Sequence, residues 1–307
     1  EFAKWLTCWK QPEQWKSICG LCYIDKENQY QDNGLARVLT FDQLVIPEES
    51  CFFNWSKPFV QLETTRGCFN TCAFCVSGGE KPVRTLSIDA IRQRLQTIHR
   101  HGIQNVRVLD RTFNFNPRRA KELLNLFLEF HPHIRFHLEI HPALLSEELK
   151  SELQKLPKGL LHLEAGIQSL REPVLEKCRR LGKLSDALEG LKFLCSLDNM
   201  ETHADLIAGL PLYRLNEIFE DILTLAEYQA GEIQLESLKL LPGTEMRRRA
   251  EELGIRYSPL PPYEVLQTHE ITTDELQVAR RLSRLLDAFY NTPAWQVLTR
   301  KLILKVK

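Results

Sequence analysis

The sequence lacks several features that would mark common classes of protein. It has no apolar run of about 18 residues or more, so it predicts no membrane-spanning helix. Its 40 Lys and Arg residues are balanced by 40 Asp and Glu residues. This neutrality gives no global reason to expect nucleic acid or an anionic membrane as a partner. The nine histidines show neither H-x-x-H nor H-E-x-x-H spacing, which disfavours an independent zinc hydrolase.

The amino-terminal stretch also lacks the order of a secretory signal. EFAKWLTCWKQPEQW carries charge and has no basic start followed by an apolar run. Nine cysteines without such a signal favour a reducing compartment, where thiols bind metals or lie buried. We therefore expect a cytoplasmic protein. Because the chain does not begin with Met, we also expect it to be a piece of a longer one.

From Phe59 onward, short apolar runs alternate with longer amphipathic segments. Strands are predicted at 59–64, 105–110, 134–140, 160–167, 202–210 and 232–241, and helices at 87–101, 117–130, 146–155, 184–197, 214–229 and 272–290. Alternating strands and helices favour parallel pairing with right-handed crossovers, and six units are too few for a closed eightfold barrel. The sequence therefore predicts an α/β fold, a partial (β/α)6 barrel over residues 59–255, between an irregular segment 1–58 and a helical C-terminal extension 256–307.

The stretch RGCFNTCAFCVSGG places Cys68, Cys72 and Cys75 in the loop after the first predicted strand, with C-x-x-x-C-x-x-C spacing. Three thiolates are one fewer than a closed structural zinc site or a fully protein-ligated iron–sulfur cluster uses. The spacing therefore indicates a metal site with one open coordination position. The alternatives are three reduced thiols without a metal, or a zinc site with a distant fourth ligand.

This loop, including the aromatic Phe74 before the third cysteine, resembles the cluster loop of the radical S-adenosylmethionine superfamily. The resemblance covers roughly residues 15–295. It implies that Cys68, Cys72 and Cys75 hold a 4Fe–4S cluster whose fourth iron is chelated by S-adenosylmethionine. An electron from a reductant protein such as flavodoxin or ferredoxin would then cleave this cofactor to a 5′-deoxyadenosyl radical.

The stretches VRVLDRTFN, HLEAGIQS, HADLIAGLP and LKLLPGTEM look like one subfamily of unknown function. Members of that subfamily carry a cobalamin-binding domain before the radical core. The resemblance implies that residues 1–58 are the linker after such a domain. The sequence contains no D-x-H-x-x-G cobalamin signature, so we expect the domain to be absent from this chain.

The resemblance also implies contacts to S-adenosylmethionine at the carboxyl ends of the strands. The expected cofactor-binding residues are Phe74, Asp110, Arg111, Thr112, Glu139, Glu164, Gln168, Arg179 and Gly209. Phe74 would lie near the adenine, or would fill the barrel mouth as an ordinary loop aromatic. Gly209, in DLIAGLP, would line the adenine pocket.

The second strand departs from the family pattern, because DRTFN stands where a Gly-Gly-Glu-type motif usually meets the methionine amino group. The backbone of Asp110 to Thr112 is the candidate for that contact. The alternative is an Asp110–Arg111 pair that only braces the strand end.

Glu139 and Glu164 are acidic residues within apolar strands, and a buried carboxylate requires a polar partner. That partner would be the cofactor or, alternatively, Arg107 or Arg135. Either Arg179 or Arg180 would clamp the methionine carboxylate, unless both are exposed charges at a helix end.

We therefore expect an enzyme that forms a 5′-deoxyadenosyl radical and acts on an unactivated carbon of a small-molecule or peptide substrate. In the longer parent it would use cobalamin, for methyl transfer or rearrangement. The alternatives are a non-catalytic iron–sulfur protein for electron transfer or sensing, and a structural zinc module. Cys19 and Cys22 form a C-x-x-C pair that could begin an auxiliary metal site.

Overall fold

A computed structural model describes residues 1–36, 41 and 44–305. The chain divides into two compact units, Glu1–Leu44 and Val45–Lys307. The predicted boundary after residue 58 therefore differs from this division, because residues 45–58 belong to the second unit. No helix among the described residues is long and apolar enough to cross a bilayer.

The first unit contains short elements that the sequence did not predict. Helices α1 (Phe2–Cys8) and α2 (Pro12–Trp15) precede a hairpin of β1 (Cys22–Ile24) and β2 (Tyr30–Asp32). An Asp25 carboxylate oxygen accepts hydrogen bonds from the backbone amides of Glu27 and Gln29 and so shapes the turn. Elements this short contain too few residues to show a clear hydrophobic period. Cys19 and Cys22 are exposed thiols here.

The second unit is built on a six-stranded sheet. Its remaining strands are β3 (Val60–Leu62), β4 (Thr65–Arg66), β5 (Arg84–Thr85), β6 (Asn105–Val108), β7 (Arg135–Ile140), β8 (Leu161–Gln168), β9 (Glu201–Ala208), β10 (Glu232–Ser237), β11 (Arg256–Tyr257) and β12 (Val265–Gln267). The main sheet has the order β10-β9-β8-β7-β6-β3, and all of its pairs are parallel. Because β3 and β10 form two open edges, the sheet does not close into a full barrel. The predicted partial barrel is confirmed.

Six helices lie close to the predicted positions: α3 (Ile88–Arg100), α4 (Pro117–Leu128), α5 (Glu147–Lys155), α7 (Leu184–Cys195), α8 (Leu215–Glu227) and α10 (Thr273–Leu285). Three further helices were not predicted: α6 (Glu172–Lys177), α9 (Glu245–Arg248) and α11 (Pro293–Ile303). The side chains of Ser87, Asn116 and Ser146 cap α3, α4 and α5 by accepting backbone hydrogen bonds. The C-terminal extension is helical, as predicted, with a π-helical turn Leu286–Tyr290 between its two helices.

The strands have two chemically different faces. In β7, Phe136, Leu138 and Ile140 are buried, whereas His137 and Glu139 are only partly buried. Because side chains alternate along a strand, one face of the sheet carries apolar side chains that are buried in the core, and the other lines the barrel lumen with polar side chains. This polar inner face is where a site can be assembled.

Candidate active site

The cysteine loop is closed at its base by two backbone features. β4, just after β3, pairs antiparallel with β5, so the chain from residue 67 to residue 83 forms one closed loop. Gly67 starts it with a φ of +102°, and a Cβ there would lie 2.5 Å from the Glu80 carbonyl oxygen. Only glycine fits this position without displacing backbone.

Asp110, at the end of β6, anchors the start of this loop. Its buried carboxylate accepts hydrogen bonds from the Thr64 and Thr65 amides, each at 2.8 Å, and from the Thr64 hydroxyl. Burial raises the pKa of Asp110, while these hydrogen bonds oppose the increase. The Asp110 side chain therefore binds the start of the loop and does not line the pocket. It does not pair with Arg111, so the alternative Asp110–Arg111 pair is not formed.

The three thiols line one pocket of about 150 Å³. Cys68 and Cys72 are buried, Cys75 is half-buried, and none forms a disulfide. Cys72 donates to Asn70 Oδ1 at 3.4 Å, and the same oxygen accepts from the Leu181 amide at 3.0 Å. Asn70 thereby fixes the loop against the segment after β8.

The thiol count bears on which metal group fits. The described residues that line this pocket include three cysteines and no fourth. Three convergent thiols fit an iron–sulfur cluster with one open iron better than a four-cysteine structural zinc site.

Of the residues predicted to contact the cofactor, six line the same pocket as the thiols: Phe74, Arg111, Thr112, Glu139, Glu164 and Gln168. Gln168 adopts a φ of +72° where the pairing of β8 with β9 shifts register, and this bend places it at the pocket wall. Gly209, with a φ of +92°, does not line this pocket, and a Cβ added to it would lie 3.5–3.6 Å from side-chain atoms of Leu238, Val265 and Leu276.

The structure places Arg180, not Arg179, at the pocket. Arg180 donates to the Gly166 carbonyl oxygen, and its Nη1 lies 3.7 Å from Cys72 Sγ. The half-exposed Arg179 side chain instead pairs with Glu245. Burial raises the pKa of the Cys72 thiol, and the nearby Arg180 charge opposes that rise.

Three carboxylates face the pocket from neighbouring strands: Glu139 on β7, Glu164 on β8 and Asp205 on β9. The salt bridges considered with Arg107 and Arg135 are not formed. Glu139 lies 3.7 Å from Arg111, Glu164 accepts from His137 Nε2 at 2.8 Å, and Asp205 lies 2.9 Å from His203. Arg107 instead stacks on the Phe59 ring, and Arg135 pairs with Glu201.

Crowding gives these carboxylates unequal protonation. Burial, followed by the nearby Glu164 charge, raises the pKa of Glu139 to about 7. The His137 hydrogen bond lowers the pKa of Glu164, whereas burial raises that of Asp205. Adjacent carboxylates with opposed shifts are typical of functional sites. In this pocket Glu164 therefore stays ionised, beside Glu139 and Asp205, which are more easily protonated.

Below the pocket lies a larger cavity of about 810 Å³ in the barrel lumen. Its walls come from the inward-facing positions of the strands, including Arg107, His137, His162 and His203. Glu139 and Glu164 line both cavities. A molecule in the lumen would therefore share these two walls with a molecule in the thiol pocket.

The sequence analysis missed Asn70 and His141 as pocket residues. His141 follows β7, and its Nε2 lies 3.1 Å from the Leu181 carbonyl oxygen. Burial, followed by the Arg180 charge, lowers its pKa to about 3. Its position directly after a barrel strand was the available signal, because such positions form the active face of these folds.

Comparisons with known proteins agree with this geometry. The family model described as Radical SAM superfamily matches residues 62–225, and one described as Protein of unknown function (DUF4080) matches residues 251–307. The cobalamin-dependent radical SAM methyltransferase TokK of Streptomyces tokunonensis is 23% identical over 211 residues, covering 66% of this chain and 31% of TokK.

Two solved structures share the fold. The radical S-adenosylmethionine methyltransferase TsrM of Kitasatospora setae, with cobalamin and a [4Fe-4S] cluster bound, superposes with a TM-score of 0.57 at 17% identity, covering 70% of this chain and 44% of TsrM. The cobalamin-dependent S-adenosylmethionine radical enzyme OxsB gives 0.65 at 13% identity, covering 93% of this chain and 49% of OxsB.

The chain spans less than half the length of each of these three proteins. The superfamily match covers more than half of this chain, including the thiol loop and the four central strands of the barrel sheet. On this match, the chain is an enzyme of the radical S-adenosylmethionine superfamily.

Proposed function

We propose that Cys68, Cys72 and Cys75 bind three irons of a 4Fe–4S cluster and that the adjoining pocket holds S-adenosylmethionine at the fourth. The observation that carries the proposal is the convergence of three thiols, Arg180 and the carboxylate wall on one small pocket. When bound, these groups supply the reductive cleavage that forms a 5′-deoxyadenosyl radical.

The chain's own residues then have separable tasks in binding the cofactor. Arg180 provides a guanidinium for the methionine carboxylate, in place of the predicted Arg179. The backbone at Arg111 and Thr112 faces the methionine amino group, and Phe74 covers the adenine side. Glu164, kept ionised by His137, accepts hydrogen bonds from the ribose or attracts the cofactor's positive charge.

The substrate, a small molecule or peptide, binds in the lumen cavity. Glu139 and Glu164 form the boundary where its reacting carbon approaches the cofactor. The lumen would exclude water from the radical and so limit side reactions. An electron-transfer protein such as flavodoxin or ferredoxin supplies the reductant.

The test is anaerobic reconstitution followed by electron paramagnetic resonance of the reduced cluster. Adding S-adenosylmethionine should change the spectrum, because the cofactor binds the open iron directly, and 5′-deoxyadenosine should form. A cluster whose spectrum ignores the cofactor would identify a non-catalytic electron-transfer or sensing protein. Tight zinc without sulfide would identify a structural zinc module.

We further propose that the longer parent uses cobalamin for methyl transfer or rearrangement at an unactivated carbon. The support is that TokK, TsrM and OxsB are each described as cobalamin-dependent or contain cobalamin. In this arrangement residues 1–58 link a cobalamin domain to the core of residues 59–255, which residues 256–307 extend.

Comparing cobalamin retained by the 307-residue chain and by the longer parent tests this arrangement. We expect cobalamin only in the parent, together with faster substrate turnover. Stoichiometric binding by residues 1–307 alone would contradict it.

A further inference from the structure

The lower part of the lumen contains a cluster of imidazoles and carboxylates that do not line the thiol pocket. His137 and His162, paired in register on β7 and β8, stack with their ring centroids 4.7 Å apart. His162 and His203 meet edge to face at 6.0 Å. Glu232 pairs in register with His203 on the next strand. Four adjacent strands thus bring nitrogen and oxygen donors together inside the barrel.

His162, His203 and Glu232 have the geometry of metal ligands. Each offers one ligand atom, and the three atoms lie within 4.8 Å of one another. Nδ1 of His203 is 3.9 Å from Glu232 Oε2. Around a tetrahedral ion with bonds of about 2.1 Å, ligand atoms are roughly 3.4 Å apart, so small side-chain rotations would close the set.

Each histidine also has a carboxylate near its other nitrogen. Asp205 Oδ1 lies 2.9 Å from His203 Nε2, and Glu201 Oε2 lies 3.3 Å from His162 Nδ1. Neither pair is aligned as a hydrogen bond in this structure, and the buried Nε2 atoms of His162 and His203 have no hydrogen-bond partner among the described residues. The carboxylates are nevertheless close enough to orient the rings when an ion binds, as outer carboxylates typically do for histidines that bind metals.

One cation lies beside this set. Arg135 Nη2 is 3.1 Å from His162 Nδ1 and 2.5 Å from Glu201 Oε2. A guanidinium only donates, so in this arrangement His162 Nδ1 accepts from Arg135 and the ring proton is on Nε2. Metal binding at Nε2 requires the other tautomer, in which the Nδ1 proton is directed to Glu201 Oε2, 3.3 Å away, and Arg135 is bound to Glu201 alone.

We propose that His162 Nε2, His203 Nδ1 and the Glu232 carboxylate bind a divalent first-row transition ion of the zinc class. A set of two imidazoles and one carboxylate binds such ions in preference to Mg²⁺ or Ca²⁺. Three protein ligands leave a coordination position open toward the lumen. If the proposed function holds, that position binds an oxygen or nitrogen of the substrate and orients its carbon toward the cofactor pocket.

This site differs from the cluster loop in donor type and in strand position. The loop offers sulfur donors after β3, whereas the second set offers imidazole and carboxylate donors from the amino-terminal halves of β8, β9 and β10. Its occupancy can therefore be measured without any cluster. A failure of metal binding would then leave the radical function untouched, and a failure of the radical function would leave the metal measurement valid.

The experiment uses the full chain with Cys68, Cys72 and Cys75 changed to Ser, stripped with a chelator and titrated with Co²⁺. We expect about one equivalent bound, with visible absorption of a nitrogen- and oxygen-ligated ion and no thiolate charge-transfer band. His203→Ala and Glu232→Gln should each weaken binding by roughly 10-fold to 100-fold. Cluster iron in the otherwise unchanged chain should remain the same in both variants.

Matched controls use the same residue types outside the set. Glu236→Gln lies on the same strand as Glu232, and His133→Asn lies in the loop before β7; both should bind Co²⁺ like the parent. His162→Gln is a second, milder histidine variant, and circular dichroism verifies that each variant folds. Folded variants that bind Co²⁺ as tightly as the parent, or a folded parent that binds none, would overturn the proposal.

Discussion

The thiol pocket and the lumen cavity below it are built in opposite ways. Five of the pocket's residues, Cys68, Asn70, Cys72, Phe74 and Cys75, come from one contiguous loop closed by β4 and β5. The lumen cavity is instead lined by residues from all six strands of the sheet. A loop can supply several ligands that move together, whereas a strand can present only alternate residues to one side.

Under the proposed function, this difference assigns electron-transfer chemistry to the loop and substrate recognition to the strands. The loop's spacing is set by local backbone features such as Gly67, so it can be conserved as a unit without changing the barrel. Lumen side chains can change one at a time without moving a strand. We infer that the pocket residues provide the cofactor chemistry common to the family. The lumen residues would determine the substrate specificity of this chain.

The largest expected effect is the loss of the cluster. Changing Cys68, Cys72 or Cys75 to Ala should reduce bound iron from about four per chain to nearly none after anaerobic reconstitution, because the proposal makes each thiolate an iron ligand. Iron and sulfide analysis measures this. Cys51→Ser, an exposed thiol, is the control. A cluster that survives all three single changes would place the iron site elsewhere.

The next effect distinguishes two neighbouring arginines. Arg180→Ala should weaken S-adenosylmethionine binding by about 10-fold to 100-fold, since a charged hydrogen-bond donor to a carboxylate contributes about 1.5–3 kcal/mol. Arg179→Ala should change it little, because that side chain pairs with Glu245 away from the pocket. Equilibrium binding to the reconstituted protein measures both. Equal losses in the two variants would show that the clamp has been misassigned.

The same two arginines show what the sequence could and could not predict. The six strands and their helices follow from hydrophobic period, and the thiol loop follows from contiguous spacing, so both were predictable. Arg179 has a left-handed backbone conformation, with a φ of +56°, and this conformation decides which of the two arginines faces the pocket. No local sequence pattern predicts it.

The histidine cluster was missed for a related reason. His162, His203 and Glu232 are far apart in sequence, and they meet only through the register of β8, β9 and β10. Motif spacing cannot reveal donors that come from different strands. Their inward positions within predicted strands were visible, but the pairing that aligns them was not.

A smaller effect tests the boundary between pocket and lumen. Glu164→Gln should weaken S-adenosylmethionine binding by about 10-fold while leaving iron content unchanged, because it removes the charge that His137 stabilises. His137→Gln should reproduce part of the loss by releasing that charge. Iron analysis and cofactor binding are measured together. Loss of folding without a specific binding defect would make Glu164 a structural residue.

The smallest effect concerns Glu139, which shares the boundary with Glu164 but has the opposite pKa shift. Burial raises its pKa to about 7 from 4.5. The folded state therefore holds this proton more tightly than the unfolded state does. As pH rises from about 4.5 to 7, the unfolded chain releases the proton first, so the free energy of unfolding falls; above pH 7 the penalty is constant.

Glu139→Gln removes that penalty. Below about pH 4.5 the variant and the parent should be equally stable, and by pH 8 the variant should be more stable by on the order of 1 kcal/mol, the size left after partial solvent exposure is allowed for. Urea unfolding of the cluster-free chain between pH 5 and 8 measures the difference. Glu164→Gln is the matched control, and at pH 8 it should be less stable than the parent. The His137 hydrogen bond lowers the pKa of Glu164, so its charge stabilises the folded state above about pH 4.5, where an unfolded Glu is ionised. If both variants gained stability with pH, crowding of the carboxylates would outweigh the His137 hydrogen bond, and the two sides of the boundary would be chemically alike.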